Sequence, residues 1–255
     1  MIKCEGISCR YGTATPLFEK QSFTISEYSI TMLLGKNGSG KTTLLKCLTK
    51  QLHPYAGQIS IEGAAIDDIS PKELARLIAY VPQGLDRNVD YTVLDFIAFG
   101  RTPHFGLFDT PTKNDYEIAR SFADQNGILH ICEQPLNAVS GGERQLVYIA
   151  RALVQDTPII IMDEPMSALD FTNQARILKI ISDLARSGKT VLLTSHNPNH
   201  ALAISSNVLL IDQNRNILLG KAEELLTDER VLRQTFGNQL QCIKTKQHNY
   251  ITFIV

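Results

Sequence analysis

Short unbroken apolar runs alternate along this chain with longer stretches in which apolar residues recur at helical spacing. The runs at 30–34 (Ile-Thr-Met-Leu-Leu), 78–81, 159–162 and 191–193 read as strands without a polar face, as expected of a parallel sheet covered by helices on both sides. Between them, 43–50 places Leu44, Leu45 and Leu48 on one helical face, and 143–154 and 173–186 repeat that period. Ser70, Pro71 and Glu73 mark another helix start: a hydroxyl cap, a proline at the first helical position and a carboxylate able to return a bond to the cap. Residues 2–9 and 21–25 predict short strands joined by a polar turn at Tyr11-Gly12, and 57–61 alternates as a strand. The stretch from Thr92 to about Cys132 turns helical, interrupted at 101–111 by two prolines, a glycine and aromatic residues that predict a loop. The tail, 239–255, reads as one or two short strands.

Composition narrows the class. With 255 residues, 44% of them apolar and 20% charged, the chain can form one large α/β domain or two small ones. A net charge of -1 argues against broad nucleic-acid binding. Cysteines at 4, 9, 47, 132 and 242 contain no CxxC pair, so neither a disulfide framework nor a zinc site is predicted, and idle thiols in a reducing compartment are expected. The N-terminus lacks the charged start and apolar stretch of a signal peptide, and no segment approaches the roughly 20 apolar residues that span a bilayer. A cytosolic protein that reaches membranes only through a partner is the expectation.

The chemistry begins at residues 35–42, GKNGSGKT, which fit the phosphate-binding template GxxxxGK[ST] directly after an apolar strand. Glycine lets successive backbone N–H groups turn toward an anion, because no side chain blocks the approach. Gly35, Asn37, Gly38, Ser39 and Gly40 form the cradle, Lys41 brings charge to the β- and γ-phosphates, Thr42 offers a hydroxyl to Mg2+, and Thr43 follows on the helix. The helix start adds its positive dipole end. The strand 159–162 delivers Asp163 and Glu164 at its C-terminal end. Along an extended backbone neighbouring carboxylates point opposite ways, so Asp163 is assigned to the metal and Glu164 to an attacking water. Ser140, Gly141 and Gly142 open a further helix and form a second anion site.

Taken together, the phosphate loop, Gln83 after a strand, Val139-Ser140-Gly141-Gly142-Glu143, the run 159–164, Ser167-Ala168-Leu169-Asp170 and Ser195-His196 carry a resemblance. In order and spacing the chain resembles the nucleotide-binding subunit of ATP-binding cassette (ABC) transporters over nearly its whole length. That resemblance implies an α/β fold of P-loop NTPase type: a mostly parallel sheet, N-terminal antiparallel strands and a helical subdomain. It implies a single ABC ATPase domain over 1–255, with the helical subdomain at about 84–156 and a short C-terminal strand extension at about 237–255. Val139 and Glu143 depart from the usual LSGGQ, and Met166 replaces a frequent threonine.

Several roles follow from the resemblance alone. Family members bind ATP with Mg2+ and trap it between the loop of one copy and the Ser-Gly-Gly helix of a second, as a homodimer. Tyr11 is similar to the aromatic that stacks on adenine, although a lone tyrosine also fits a packing role. Gln83 is similar to the residue that senses Mg2+ and water in the groove facing the permease. His196 is similar to the γ-phosphate contact that helps hold the attacking water, making Glu164, His196 and Gln83 the catalytic set. Asp170 is similar to the residue crossing the dimer seam, and it equally suits a helix cap. The segment 99–108 with Asp115-Tyr116-Glu117 resembles importers for iron chelates, haem and cobalamin, a group shared with molybdate cassettes. The implied partners are integral-membrane permease subunits and, indirectly, an extracytoplasmic substrate-binding protein, with the chain on the cytoplasmic face of the membrane. A soluble ABC ATPase of a cytosolic assembly system, such as iron–sulfur cluster building, is the alternative.

Overall fold

At the N-terminus, alternating polarity becomes strand β1 (Ile2–Cys9) in a computed structural model, with Ile2 and Cys4 turned inward and Lys3 and Glu5 outward. The structure describes residues 1–10, 12, 15–84, 90–106, 109–167, 169–204, 206–238, 240–245 and 249–253. Tyr11, Ala168, Leu107 and Phe108 lie outside the described residues. The chain divides into two units, one formed by Met1–Ile69 with Leu178–Val255 and the other by Ser70–Ile177.

In the first unit β2 (Phe18–Ile25) begins earlier than the pattern predicts and pairs antiparallel with β1. After β3 (Ile30–Gly35) and α1 (Lys41–Leu48), strands β4 (Ala56–Ile61) and β5 (Ala64–Ala65) complete a small antiparallel sheet in the order β2-β1-β4-β5. The β1–β4 register shifts between Glu5 and Ser8. There Gly57 has φ 85, and a Cβ on it would stand 2.4 Å from the Gly6 carbonyl carbon, so a side chain is excluded by conformation and by contact.

The second unit opens with α2 (Pro71–Leu77), whose Ser70–Glu73 capping box forms as predicted. Its strand β6 (Ile78–Val81) is followed by α3 (Val93–Ala98), α4 (Lys113–Gln125) and α5 (Gly141–Leu153). Phe96 meets Tyr148 at 4.8 Å between ring centroids and carries the Arg151 guanidinium 4.7 Å above its face, which packs α3 on α5. Where a loop was expected from 101, Phe99–His104 instead forms a 3-10 helix containing Pro103. Tertiary bonds hold it: Arg76 Nε donates to the Pro103 carbonyl at 3.1 Å, and His104 Nε2 lies 2.9 Å from the Gln155 carbonyl. Strand β7 (Ile159–Met162), wholly buried, pairs parallel with β6 from Ile78↔Ile159 to Val81↔Met162.

Helix α6 (Phe171–Arg186) contains the boundary between the units. The first unit then resumes with β8 (Thr190–Ser195), α7 (Pro198–Ala203), β9 (Asn207–Ile211) and β10 (Ile217–Lys221). β3 runs parallel between β8 and β9, with Ile30↔Val191 and Thr31↔Asn207 in register, and β10 adds an antiparallel edge to β9. Short α8 (Ala222–Leu225) and α9 (Glu229–Phe236) lead to the hairpin β11 (Leu240–Lys244) and β12 (Asn249–Phe253), which the tail predicted. Cys4, Cys9, Cys47 and Cys132 are buried free thiols, Cys9 and Cys47 with their sulfurs 2.9 Å apart, while Cys242 on β11 is half-exposed. Among the described residues no helix is long and apolar enough to cross a membrane.

Candidate functional site

In the first unit β3 ends at Gly35 and the chain turns immediately into the phosphate loop. A Cβ at Gly35 would lie 2.7 Å from Ser39 Oγ and 3.1 Å from the Ile211 carbonyl oxygen, so the loop closes over this position only because it is glycine. Gly40, at φ 104, caps α1. Lys41 is buried, and its ammonium donates to the Gly35 carbonyl at 2.9 Å and the Lys36 carbonyl at 3.2 Å, which curls the loop around the charge. Ser39 Oγ is buried without a hydrogen-bond partner among the described residues, an arrangement suited to a loop built to receive acceptor oxygens. Asn37 and Gly38 stand exposed at the rim, Thr42 is half-buried and Thr43 is buried on α1.

Also in this unit, β8 delivers Ser195 buried and His196 exposed at its C-terminal end. The sequence reading missed what stands behind His196. His200, on α7, is buried and places Nδ1 3.0 Å from Ser195 Oγ, with Nε2 3.4 Å from Asn197 Nδ2. Because an amide N–H2 can only donate, Nε2 is the acceptor and Nδ1 carries the proton toward Ser195. Burial, and then the neighbouring His196, hold the His200 imidazole below its ordinary value, in keeping with that neutral tautomer.

In the second unit the β6–β7 pairing juxtaposes residues far apart in sequence. Asp163 N–H donates to the Val81 carbonyl at 2.8 Å, extending the ladder, and Asp163 is buried. Burial, with the negative charge of Asp163, pushes the Tyr80 phenol up to about 12. Glu164 corrects the expected extended backbone: it sits at φ 47, in a left-handed turn closed by Ser167 N–H and Oγ on the Glu164 carbonyl. There Gln83 Nε2 donates to Glu164 Oε2 at 3.2 Å. Backbone strain at a carboxylate terminating a buried strand is a frequent mark of a functional position.

Ser140 opens α5 through a reciprocal capping box with Glu143. The serine hydroxyl donates to Glu143 Oε2 at 2.6 Å and its N–H donates to the same oxygen at 3.0 Å. These bonds, and then His130, whose Nε2 lies 3.5 Å from Oε1, hold the Glu143 carboxyl below its ordinary value. Gly141 is exposed with open space at its Cβ position, whereas a Cβ on Gly142 would reach Asn173 Nδ2 at 3.2 Å. Asn173 is in turn held by Asp170, whose Oδ1 accepts its N–H at 2.8 Å and whose Oδ2 accepts its side-chain amide at 3.3 Å. Asp170 thus caps α6 while remaining exposed. Arg144, buried and absent from the predicted site, donates to the carbonyls of Leu136, Asn137 and Val139 and so fixes the segment entering Ser140. The sequence did carry a signal for it, a charge on the same helical face as Val147 and Tyr148.

The structure therefore groups Gln83 with Glu164, Ser140 and Gly142 with the Asp170 cap, and His196 with the Ser195–His200 pair. Thr42 and Asp163 present a hydroxyl and a carboxylate, the hard oxygen donors that Mg2+ takes.

Comparison with known proteins places these features in a family. The sequence pattern described as ABC transporter matches residues 18–167. The iron(3+)-hydroxamate import ATP-binding protein FhuC of Bacillus subtilis is 33% identical over 249 residues, 97% of this chain and 92% of that one. The molybdate import ATP-binding protein MolC of Haemophilus influenzae is 34% identical over 231 residues, 90% of this chain and 86% of its own length. A solved structure described as a metal-chelate type ABC transporter in an inward-facing conformation superposes with a TM-score of 0.85 at 31% identity, covering 99% of this chain and 96% of that chain.

Proposed function

This chain belongs to the ABC transporter family and is one of its ATPases, and on that premise we propose that it powers uptake of a metal compound through a partner permease. The observation that carries this is similarity over at least nine-tenths of the chain to two import ATPases, one serving an iron hydroxamate and one molybdate. An iron–siderophore, haem, cobalamin or molybdate type of cargo fits that group.

Each candidate residue then has a task. The phosphate loop of residues 35–43 holds the triphosphate, with Lys41 on its β- and γ-oxygens. Thr42, Asp163 and Gln83 hold Mg2+, which when bound draws charge from the phosphate oxygens. Glu164, oriented by Gln83, positions the attacking water and accepts its proton, and His196 contacts the γ-phosphate. Tyr11 stacks on adenine. Ser140, Gly141 and Gly142 complete the nucleotide site of a second copy, and Asp170 lies at the seam between copies. Helices α3, α4 and α5 form the helical subdomain at about 84–156, and about 237–255 forms the C-terminal extension. The chain works at the cytoplasmic membrane face, docked on permease subunits that an extracytoplasmic binding protein supplies.

The test is transport by the chain and its permease in vesicles, offering ferric hydroxamate, haem, cobalamin and molybdate in turn. ATP-dependent accumulation of one cargo is expected. Glu164→Gln should keep ATP binding and lose turnover by about 10²- to 10⁴-fold, the range for a general base. Purification of an active ATPase that associates with no permease and moves no cargo would instead favour the cytosolic assembly role.

A further inference from the structure

Helix α7 is bonded on both sides, to Ser195 at the end of β8 and to Ile251 on β12. Toward the sheet, Ser195 Oγ accepts the Asn197 N–H at 3.0 Å and lies 3.0 Å from His200 Nδ1. Asn197 caps α7, its Oδ1 taking the Asn199 N–H at 3.0 Å while its amide nitrogen lies 3.4 Å from His200 Nε2. His196 is thereby flanked by two residues whose positions are set by one buried imidazole. On the other side, Asn199 Oδ1 accepts the Ile251 N–H at 2.7 Å and its Nδ2 donates to the Ile251 carbonyl at 3.0 Å. One side-chain amide thus satisfies both backbone groups of Ile251, as a neighbouring strand would. Ile251 is buried, at the middle of β12 and opposite Cys242 of β11.

We infer that the hairpin β11–β12 is part of the scaffold that positions His196, acting through Asn199 and His200. The hairpin braces α7 from outside, α7 presents His200 to Ser195 and Asn197 from within, and these hold the exposed His196 at the end of β8. Asn199 and His200 are positioning residues that touch no reacting atom. This rests on the assignment of His196 to the γ-phosphate, and the experiment separates the two ideas.

Four single variants, His196→Ala, His200→Leu, His200→Asn and Asn199→Ala, and the double variant His196→Ala/His200→Leu are compared in the permease complex for ATP turnover and for affinity toward a fluorescent ATP analogue. Turnover should fall about tenfold in His200→Leu and Asn199→Ala, the scale of one lost hydrogen bond, with nucleotide affinity unchanged. His200→Asn, which keeps a donor facing Ser195, should recover part of that loss. His200→Leu should add nothing to His196→Ala, because both act through one side chain. If His200→Leu does not fold, Asn199→Ala, at a half-buried position, carries the test alone. Full turnover in His196→Ala overturns the γ-phosphate assignment and this inference with it. An inactive His196→Ala beside fully active Asn199→Ala and His200→Leu overturns the scaffold alone. Parallel loss of affinity and turnover marks general loosening, and it too overturns the scaffold.

Discussion

Glu143 shows how one atom can change a motif without dissolving it. Its carboxylate returns two bonds to Ser140, a geometry that a glutamine would also support, so the departure from LSGGQ leaves the helix start intact. The charge adds a pH dependence. Its native value lies below the ordinary 4.5, so the extra stability is fully present above 4.5 and is lost as pH falls through the lowered native value. Glu143→Gln should therefore melt at a lower temperature than the parent at neutral pH, with the gap closing below 4.5. Thermal melts across that range check this, and a gap that persists at acid pH would mean that the charge is not its source.

At the level of elements, α5 depends on a buried guanidinium that ties its own entry segment. Arg144→Met should leave the carbonyls of Leu136, Asn137 and Val139 short of a donor and cost about 1–3 kcal/mol in urea unfolding, the usual penalty for unsatisfied buried groups. Arg144→Lys should recover little, since a point charge cannot reproduce the planar fork; full recovery would refute the fork. Strands β3, β6, β7 and β8 were legible because each is built on a short, mostly apolar run with no alternating polar face. β10 escaped because it exposes Leu218 and Leu219 at an edge, so alternation fails there. β9 was legible in principle, since 208–211 is a buried apolar run of the same kind, and the sequence reading missed it. Helix α9 buries only Leu232 and Thr235, too few to register as an apolar stripe. Motif residues were readable one by one, because each belongs to a short local pattern. The Gln83–Glu164 contact was not, since it exists only through the pairing of β6 with β7. The left-handed turn at Glu164 was equally hidden, because nothing in the residue type announces it.

For the whole molecule, the decisive question is which copy completes which nucleotide site. A mixed pair carrying Lys41→Ala in one copy and Ser140→Arg in the other keeps one intact site if sites are shared between copies, and none if each copy is self-sufficient. Placing both changes in one copy reverses the expectation. Turnover in the first pair and its absence in the second is the expected result, measured on differently tagged copies purified together; the opposite pattern would refute shared sites. Following any such assembly needs a reporter, and the distribution of thiols supplies one. Four of the five sulfurs are shielded, and the half-exposed one sits on the strand paired with Ile251. A maleimide dye added to the unmodified protein would therefore mark the C-terminal hairpin preferentially, and its fluorescence would follow that hairpin through the ATP cycle without an engineered cysteine.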